Sequence, residues 1–191
     1  QVQVPPCGFW GVDQVLNYFA ELTRAMHMLS DDPRTVFIGN AVAYYGTRVS
    51  DSFNDIPRDK IIEMPVAEDM QMGMSIGMSL GGRIPISVYP RWNFLLLATN
   101  QLVNHLDRLP IYSDYQPHVI IRVAAPSKYP LDPQAQHDGD FTDQIEAMCK
   151  TVKFYRLHQT SDIMPAYNDA LHNNRSAVLV EYVENYSLED A

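Results

Sequence analysis

Short apolar runs alternate along this chain with stretches of helical period, and this alternation limits the folds open to it. In the runs at 35–38, 118–123 and 177–182, apolar residues follow one another and do not alternate regularly with polar ones. Strands of this kind are buried on both faces, as in parallel sheets covered by helices. The pattern therefore predicts an α/β protein with three layers, α/β/α, around a mostly parallel sheet.

The remaining elements follow from the same patterns. Further strands are expected from Ile61 onward, at 85–89 and at 152–155. Helices are expected at 12–29 with Asp13 near its start, and at 70–80, 91–109, 141–149 and 161–172. A short helix is expected inside the loop 41–56, and a long loop at 124–140. Because ligands bind beyond the carboxyl ends of parallel strands, we expect a site among the loops that follow Gly39, Val66, Tyr89 and Ala124.

Composition narrows the class of protein. The 191 residues suit a single domain over 1–191 with one core. A net charge of -9 argues against nucleic-acid binding, and no apolar stretch is long enough to span a membrane. Cys7 and Cys149 lack metal-ligand spacing and no signal peptide opens the sequence, so we expect reduced thiols in a cytoplasmic protein.

The junction around Glu68 is the most informative stretch. This carboxylate stands where an apolar strand gives way to a helix that ends at Gly81, and Gly73 and Gly77 lie four residues apart on one face of that helix. Glycine inside a helix costs roughly 1 kcal/mol relative to alanine, which suggests close approach by another element. Taken alone, Glu68 is better explained as a first-turn acid that suits the helix dipole than as a catalytic group.

Two other segments have both a functional and a structural interpretation. The aromatic segment 91–94 can bind a ligand or simply anchor a helix to the sheet. His137 lies in a polar loop and can act as an acid or base, since imidazole titrates near neutrality, while 138–140 also fits a surface turn. The methionines around Glu68 most simply pack a core or a subunit contact. By themselves these residues indicate an acidic α/β domain with a helix built for close contact.

Six landmarks, however, follow one another in a fixed order. They are 36–39, 62–68, the glycines at 73, 77 and 81 with 83–86, the segments 93–94 and 100–104, 135–137, and 177–181. In this order and spacing, over about 16–182, the chain resembles the pyrimidine-binding domain of thiamine-diphosphate enzymes. Within that group it most resembles the beta subunit of the 2-oxoacid (pyruvate and branched-chain) dehydrogenases and the transketolase family.

The resemblance implies a role for four residues. Glu68 would hydrogen-bond the pyrimidine nitrogen opposite the amino group and favour the imino tautomer, which takes the proton from the thiazolium carbon. Phe94 would stack on the aminopyrimidine, and Val66 would contact it. His137 would face the substrate and assist proton transfer.

The resemblance also implies a partner chain. In this family the diphosphate and its Mg²⁺ are held by another domain with its own Gly-Asp-Gly and Asn motif, and 138–140 stands in the wrong context to be that motif. We therefore expect no metal ligands here and an alpha-type partner, in an α2β2 tetramer with the cofactor between unlike chains. The glycine face of the central helix is a natural contact.

Two departures from the family stand out. Asn40 follows the first strand's glycine, where many relatives carry an acid. Relatives also continue into a further domain after the last strand, which argues against a conventional multienzyme complex for this chain.

Two functions follow from the resemblance. The first is the beta-type subunit of a two-chain thiamine-diphosphate enzyme acting on a 2-oxoacid or ketose by decarboxylation, carboligation or ketol transfer. The second is a non-catalytic regulatory or assembly subunit with the same fold. A stand-alone acidic binding domain is a weaker third possibility.

Overall fold

The fold is built on one parallel sheet. The computed structural model describes residues 17–44, 46–128 and 132–187. Within them, six strands pair in the order β2-β1-β3-β4-β6-β5, and every pairing is parallel. The strands are β1 (Thr35–Gly39), β2 (Ile61–Glu63), β3 (Ile84–Tyr89), β4 (Ile120–Ala125), β5 (Lys153–Leu157) and β6 (Ala177–Tyr182). The predicted parallel sheet is confirmed.

Helices cover both faces of the sheet. They are α1 (Tyr18–Asp31), α2 (Arg48–Asp51), α3 (Glu68–Leu80), α4 (Trp92–Leu95), α5 (Leu109–Tyr112), α6 (Thr142–Met148) and α7 (Thr160–His172). One buried cluster joins α1 and α7 to the sheet. A second joins α3, α4 and α6 to the opposite face. The three-layer α/β/α arrangement is therefore confirmed.

The helix predicted over 91–109 is present but irregular, because the backbone stays helical between its segments while the hydrogen-bond pattern changes. After α4 the chain passes through a 3₁₀ turn (Leu96–Ala98) and a π-helical segment (Gln101–Leu106) before α5. Polar side chains compete with the regular helical bonds here, since the Thr99 hydroxyl donates to the carbonyl of Leu96 at 2.8 Å. Asp107 directly follows the π-helical segment, and its carboxylate accepts the backbone N–H groups of residues 150–152, just before β5.

Several helix starts also differ from prediction, and one of them is α3, which begins at Glu68 rather than at residue 70. The first helix begins at Tyr18, where the Asn17 side chain accepts the N–H of Phe19 at 2.9 Å, and residues 12–16, including Asp13, lie outside the described residues. Helix α7 begins one residue early, at Thr160, and the Asp162 carboxylate accepts the N–H of Gln159 at 2.9 Å.

A charged pair is buried between the sheet and the α1/α7 layer. Arg122 on β4 and Glu181 on β6 are 0% and 1% exposed, and the Arg122 Nε donates to Glu181 Oε2 at 3.0 Å. Arg122 Nη1 also donates to the Ser52 hydroxyl at 2.6 Å, and the Tyr186 hydroxyl donates to the second carboxylate oxygen at 2.6 Å. These bonds tie the segment after α2 and the chain after β6 to the centre of the sheet.

No helix in the described parts of the chain is both long and apolar enough to cross a bilayer. Cys149 is a free thiol whose pKa is raised by burial to about 12, so it is unreactive near neutral pH, while Cys7 lies outside the described residues.

Candidate functional site

A cleft opens at the carboxyl edge of the sheet, where the loops after β1, β2 and β3 meet. It encloses about 110 Å³ and is lined by Asn40, Val66, Glu68, Gln71, Val88, Tyr89, Pro90 and Phe94. Three of the four residues singled out in the sequence, Val66, Glu68 and Phe94, therefore line one cleft. The fourth, His137, lies beside it, with its ring centroid 5.2 Å from that of Phe94 at an interplanar angle of 43°.

Glu68 is the first residue of α3 and is 8% exposed. Its carboxylate accepts no hydrogen bond from any residue in the described ranges; only its backbone carbonyl is bonded, by the Tyr89 hydroxyl at 3.4 Å. The neighbouring Asp69 differs, because it is exposed and its carboxylate accepts the N–H of Met70 at 2.7 Å. Glu68 thus occupies the favourable first turn of a helix and also presents a shielded, unused carboxyl group to the cleft.

Gln71 fixes the first turn of α3 to the sheet. Its buried amide nitrogen donates to the carbonyls of Ile38 and Val88 and to the Ser87 hydroxyl, at 3.0 to 3.3 Å. The Ser75 hydroxyl, one turn further along, also reaches Ser87 at 3.1 Å. This role was not predicted from the sequence, although polar residues at positions 71 and 75, one helical turn apart, indicate a polar stripe that faces the sheet.

Glu63 fixes the other wall of the cleft. Its two carboxylate oxygens accept the N–H groups of Ala41, Val42 and Ala43 at 2.6, 2.9 and 2.8 Å. Ala41 has φ +60°, a left-handed conformation that costs a non-glycine residue roughly 1–2 kcal/mol. Bonds to a charged acceptor are worth about 1.5–3 kcal/mol each, so the carboxylate more than offsets that cost.

Asn40 follows the glycine that ends β1. Its side-chain amide donates to the carbonyl of Met64 at 3.1 Å, which ties the loop after β1 to the loop after β2. Among the described residues, Glu68 is the only acidic side chain that lines the cleft. The second lining residue that can ionise is Tyr89, and burial raises the pKa of its phenol above the ordinary value, so it stays neutral.

Phe94 and His137 form the outer wall. A local turn holds His137, whose N–H donates to the carbonyl of Gln134 at 3.0 Å. Its Nδ1 is buried without a hydrogen-bond partner among the described residues, as are Asn93 Oδ1 and Trp92 Nε1 in the segment that carries Phe94. Unpaired buried polar atoms of this kind are uncommon in native proteins, and of these three only the His137 atom belongs to a ring in contact with Phe94 of the cleft.

The residues present fit part of a cofactor rather than a whole one. Pockets that enclose a drug-sized ligand measure about 300–1,000 Å³, so this cleft has room for about one ring. A shielded carboxyl group, an aromatic face and an imidazole can bind a flat nitrogen heterocycle and move protons near it. In the described parts of the chain, no three His, Cys, Asp or Glu side chains are placed to hold a metal ion.

The loop at 138–140 is accounted for structurally. The Asp140 carboxylate accepts both the N–H and the hydroxyl of Thr142, the first residue of α6. Asp138 is exposed. This geometry supports the interpretation of the segment as a turn that leads into a helix.

A larger cleft of about 250 Å³ lies at the opposite, amino-terminal edge of the sheet. Its lining includes Leu106, Pro117, Lys150 and Arg175 but no carboxylate, thiol or imidazole. It therefore lacks the carboxylate and the imidazole that the first cleft brings together, although Lys150, Thr151 and Ser176 line it.

The outer face of α3 is open. A Cβ atom added to Gly73 or Gly77 would meet no atom within 4 Å. Met70 and Met74 on the same face are 48% and 38% exposed, and Leu97 nearby is 64% exposed. An apolar helix face with room for close approach fits the expected contact with another chain.

No family model matches the chain. It is 24% identical over 188 residues to pyruvate dehydrogenase E1 component subunit beta-3, chloroplastic, of Oryza sativa subsp. japonica, covering 94% of this chain and 46% of that protein. It is 26% identical over 183 residues to pyruvate dehydrogenase E1 component subunit beta of Gracilaria tenuistipitata var. liui, covering 93% and 55%.

Among solved structures, a split-gene transketolase described as an inactive beta4 tetramer has the same fold. The TM-score is 0.65 at 15% sequence identity, covering 87% of this chain and 50% of that one. This chain thus spans about half the length of the proteins it matches. The resemblance predicted from the sequence landmarks is confirmed: the chain is a partial homologue of pyruvate dehydrogenase E1 beta subunits and has the fold of a transketolase beta chain.

Proposed function

We propose that this chain is the beta-type, pyrimidine-binding subunit of a two-chain thiamine-diphosphate enzyme that acts on a 2-oxoacid or ketose. The observation that carries the proposal is Glu68, a largely buried side chain whose carboxyl group has no hydrogen-bond partner among the described residues, in a cleft that Phe94 lines and His137 adjoins. Similarity to pyruvate dehydrogenase E1 beta subunits over most of this chain supports it.

Each residue has a defined task in this proposal. Glu68 holds a proton at the pyrimidine ring nitrogen opposite the amino group. The ring of Phe94 stacks on the pyrimidine, a contact worth roughly 1 kcal/mol beyond the area it buries, and Val66 packs against its edge. His137 faces the substrate and gives or takes a proton there. When bound, thiamine diphosphate supplies the nucleophilic carbon and the electron sink for cleaving or forming the carbon–carbon bond.

The proposal requires a second chain. The cleft has room for about one ring, and no metal cluster occurs in the described ranges, so the diphosphate and Mg²⁺ are assigned to an alpha-type partner in an α2β2 tetramer. The fold relative described as an inactive beta4 tetramer supports this point, because it is a beta chain without activity in that assembly. The open face of α3 is the proposed contact.

The experiment pairs Glu68→Gln with a matched control, Asp69→Asn. Both are tested in the chain co-expressed with the product of the adjacent gene, with thiamine diphosphate and Mg²⁺. We expect calorimetry to give cofactor affinities within a few-fold of the parent for both variants. Turnover of 2-oxoacids or ketoses should fall by about 10²–10⁴-fold in Glu68→Gln only, the range for loss of an acid–base group.

Full turnover of Glu68→Gln would refute the catalytic assignment. If removing the whole chain also abolished assembly of the complex, that result would favour the regulatory or assembly subunit. Loss of turnover in Asp69→Asn to the same extent would show that the helix terminus as a whole, rather than the shielded carboxyl, is required.

A further inference from the structure

The position of Glu68 is set by a short stretch of chain held at both ends. At one end, the Met64 N–H donates to the carbonyl of Gly39 at 2.8 Å and its carbonyl accepts from Asn40. At the other end, α3 is fixed to the sheet through Gln71. Only residues 65–67 lie between, and Pro65 has a locked φ. Because so few residues separate the two fixed points, a displacement of the loop after β1 would also displace Glu68.

That loop is held by Glu63. Three successive N–H groups converge on its carboxylate, and the first belongs to Ala41 in its left-handed conformation. Successive N–H groups of this kind form a nest that binds an anion. An ionised carboxylate accepts through both oxygens, whereas a carboxamide has one accepting oxygen and turns an N–H donor toward the other site. In Glu63→Gln, the backbone N–H of Ala41 would therefore face another N–H donor instead of an acceptor.

We propose that Glu63 is a positioning residue for Glu68: its carboxylate holds the loop 41–43, and through Asn40 and Met64 that loop fixes the segment that carries Glu68 into the cleft. This inference rests on the proposed function, because it assigns Glu63 a role in the chemistry attributed to Glu68. Glu63 itself does not line the cleft, so it acts through other residues and is not a catalytic group.

If Glu63 positions Glu68, substituting Glu63 should lower the turnover rate much more than it lowers the affinity for the cofactor. A small misplacement of a reacting group costs up to about 10²-fold in rate while much of the binding surface is kept. Glu63→Gln should therefore lower kcat by about ten- to a hundredfold and change the thiamine-diphosphate affinity by less than about threefold. Glu63→Asp keeps the charge and should recover most of the rate. Asp59→Asn, an exposed acid shortly before β2, is the matched control and should change neither quantity.

Two measurements test the role. The first is hydrogen–deuterium exchange of peptides covering 40–44 in the chain alone, which needs no cofactor. We expect exchange at 41–43 to be at least about tenfold faster in Glu63→Gln than in the parent or in Asp59→Asn. Unchanged exchange would overturn the proposal, because the carboxylate would then not be holding the loop.

The second measurement is a double-mutant cycle with Glu68→Gln in the co-expressed complex. If Glu63 acts through Glu68, Glu63→Gln should lower kcat by less than about twofold further once Glu68 is already glutamine. An equal fall in both backgrounds would overturn the positioning role while leaving the proposed function intact. Full activity of Glu68→Gln alone would overturn the proposed function and this role with it, so the two failures are distinguishable.

Discussion

Glu181→Gln should be among the most destabilising single changes in this chain, because it removes one charge of a buried ion pair. Burial by itself lowers the pKa of Arg122, but the adjacent Glu181 carboxylate, together with Tyr167 and Tyr186, raises the pKa above its ordinary value, so the guanidinium stays charged. Glutamine keeps the shape and can still accept from Tyr186, yet it leaves a buried cation without a counter-charge.

The size of the effect follows from the burial. Both side chains are at most 2% exposed, and breaking such a pair on one side costs about 3–5 kcal/mol. Domains of this kind are stable by about 5–15 kcal/mol in total, so about a fifth or more of the stability is at stake. With an m-value of about 1–3 kcal/mol/M, the urea midpoint should fall by roughly 1–5 M.

The assay is urea unfolding at pH 7 followed by circular dichroism, at two protein concentrations so that association is excluded as a cause. The double variant Arg122→Met/Glu181→Leu is the control, since replacing a whole buried pair by apolar residues is often close to neutral. It should recover at least half of the loss. A cost below about 1 kcal/mol for Glu181→Gln, or a double variant as unstable as the sum of the single ones, would refute the reasoning.

Three further predictions concern other parts of the fold. Burial by itself raises the pKa of Asp107, but the N–H groups of 150–152 together lower it below the ordinary value. The ionised carboxylate therefore stabilises the fold above about pH 4, and this stabilisation is lost as the pH falls further. Asp107→Asn should cost about 1–3 kcal/mol at pH 7, and thermal melts should show this difference shrinking at pH 3; a difference independent of pH would contradict it. A Cβ on Gly39 would lie 2.7 Å from the Val88 carbonyl, so Gly39→Ala should cost about 1–3 kcal/mol in urea unfolding, and an unchanged midpoint would be inconsistent with that clash. Gly73→Ala should stabilise the isolated chain by up to about 1 kcal/mol, whereas Gly73→Leu should reduce co-purification of the partner; unaltered co-purification would exclude this face as the contact.

The strands were predictable because their signal is local. A run buried on both faces is apolar throughout, and the last strand is found at Ala177–Tyr182, as the run predicted. The junction at Glu68 was also predictable, since a helix rich in small residues follows an extended segment. The resemblance then gave a reason to place His137 near Phe94. Hydrophobic periodicity could not give one, because His137 lies in an irregular loop.

Pairings between distant residues were not predictable. Arg122 and Glu181 each interrupt an apolar strand, and nothing in either run indicates that the two charges meet on neighbouring strands. The irregular helix after α4 was not predictable for the same reason. Its π-helical segment leads to Asp107, and the partners of that carboxylate lie more than 40 residues away.

The sequence by itself determined the class of fold and the carboxyl edge as the place for a site, because burial leaves local patterns. Its resemblance to a known family, carried by ordered landmarks, gave Glu68, Val66, Phe94 and His137 as the candidates. Tertiary structure alone decided that these four residues gather around one small cleft, that the Glu68 carboxylate meets no partner in the described chain, and that Glu63 and Gln71 hold its two walls. Those facts depend on loops from separate strands meeting at one edge, and hydrogen bonds between them leave no pattern in the sequence of either loop.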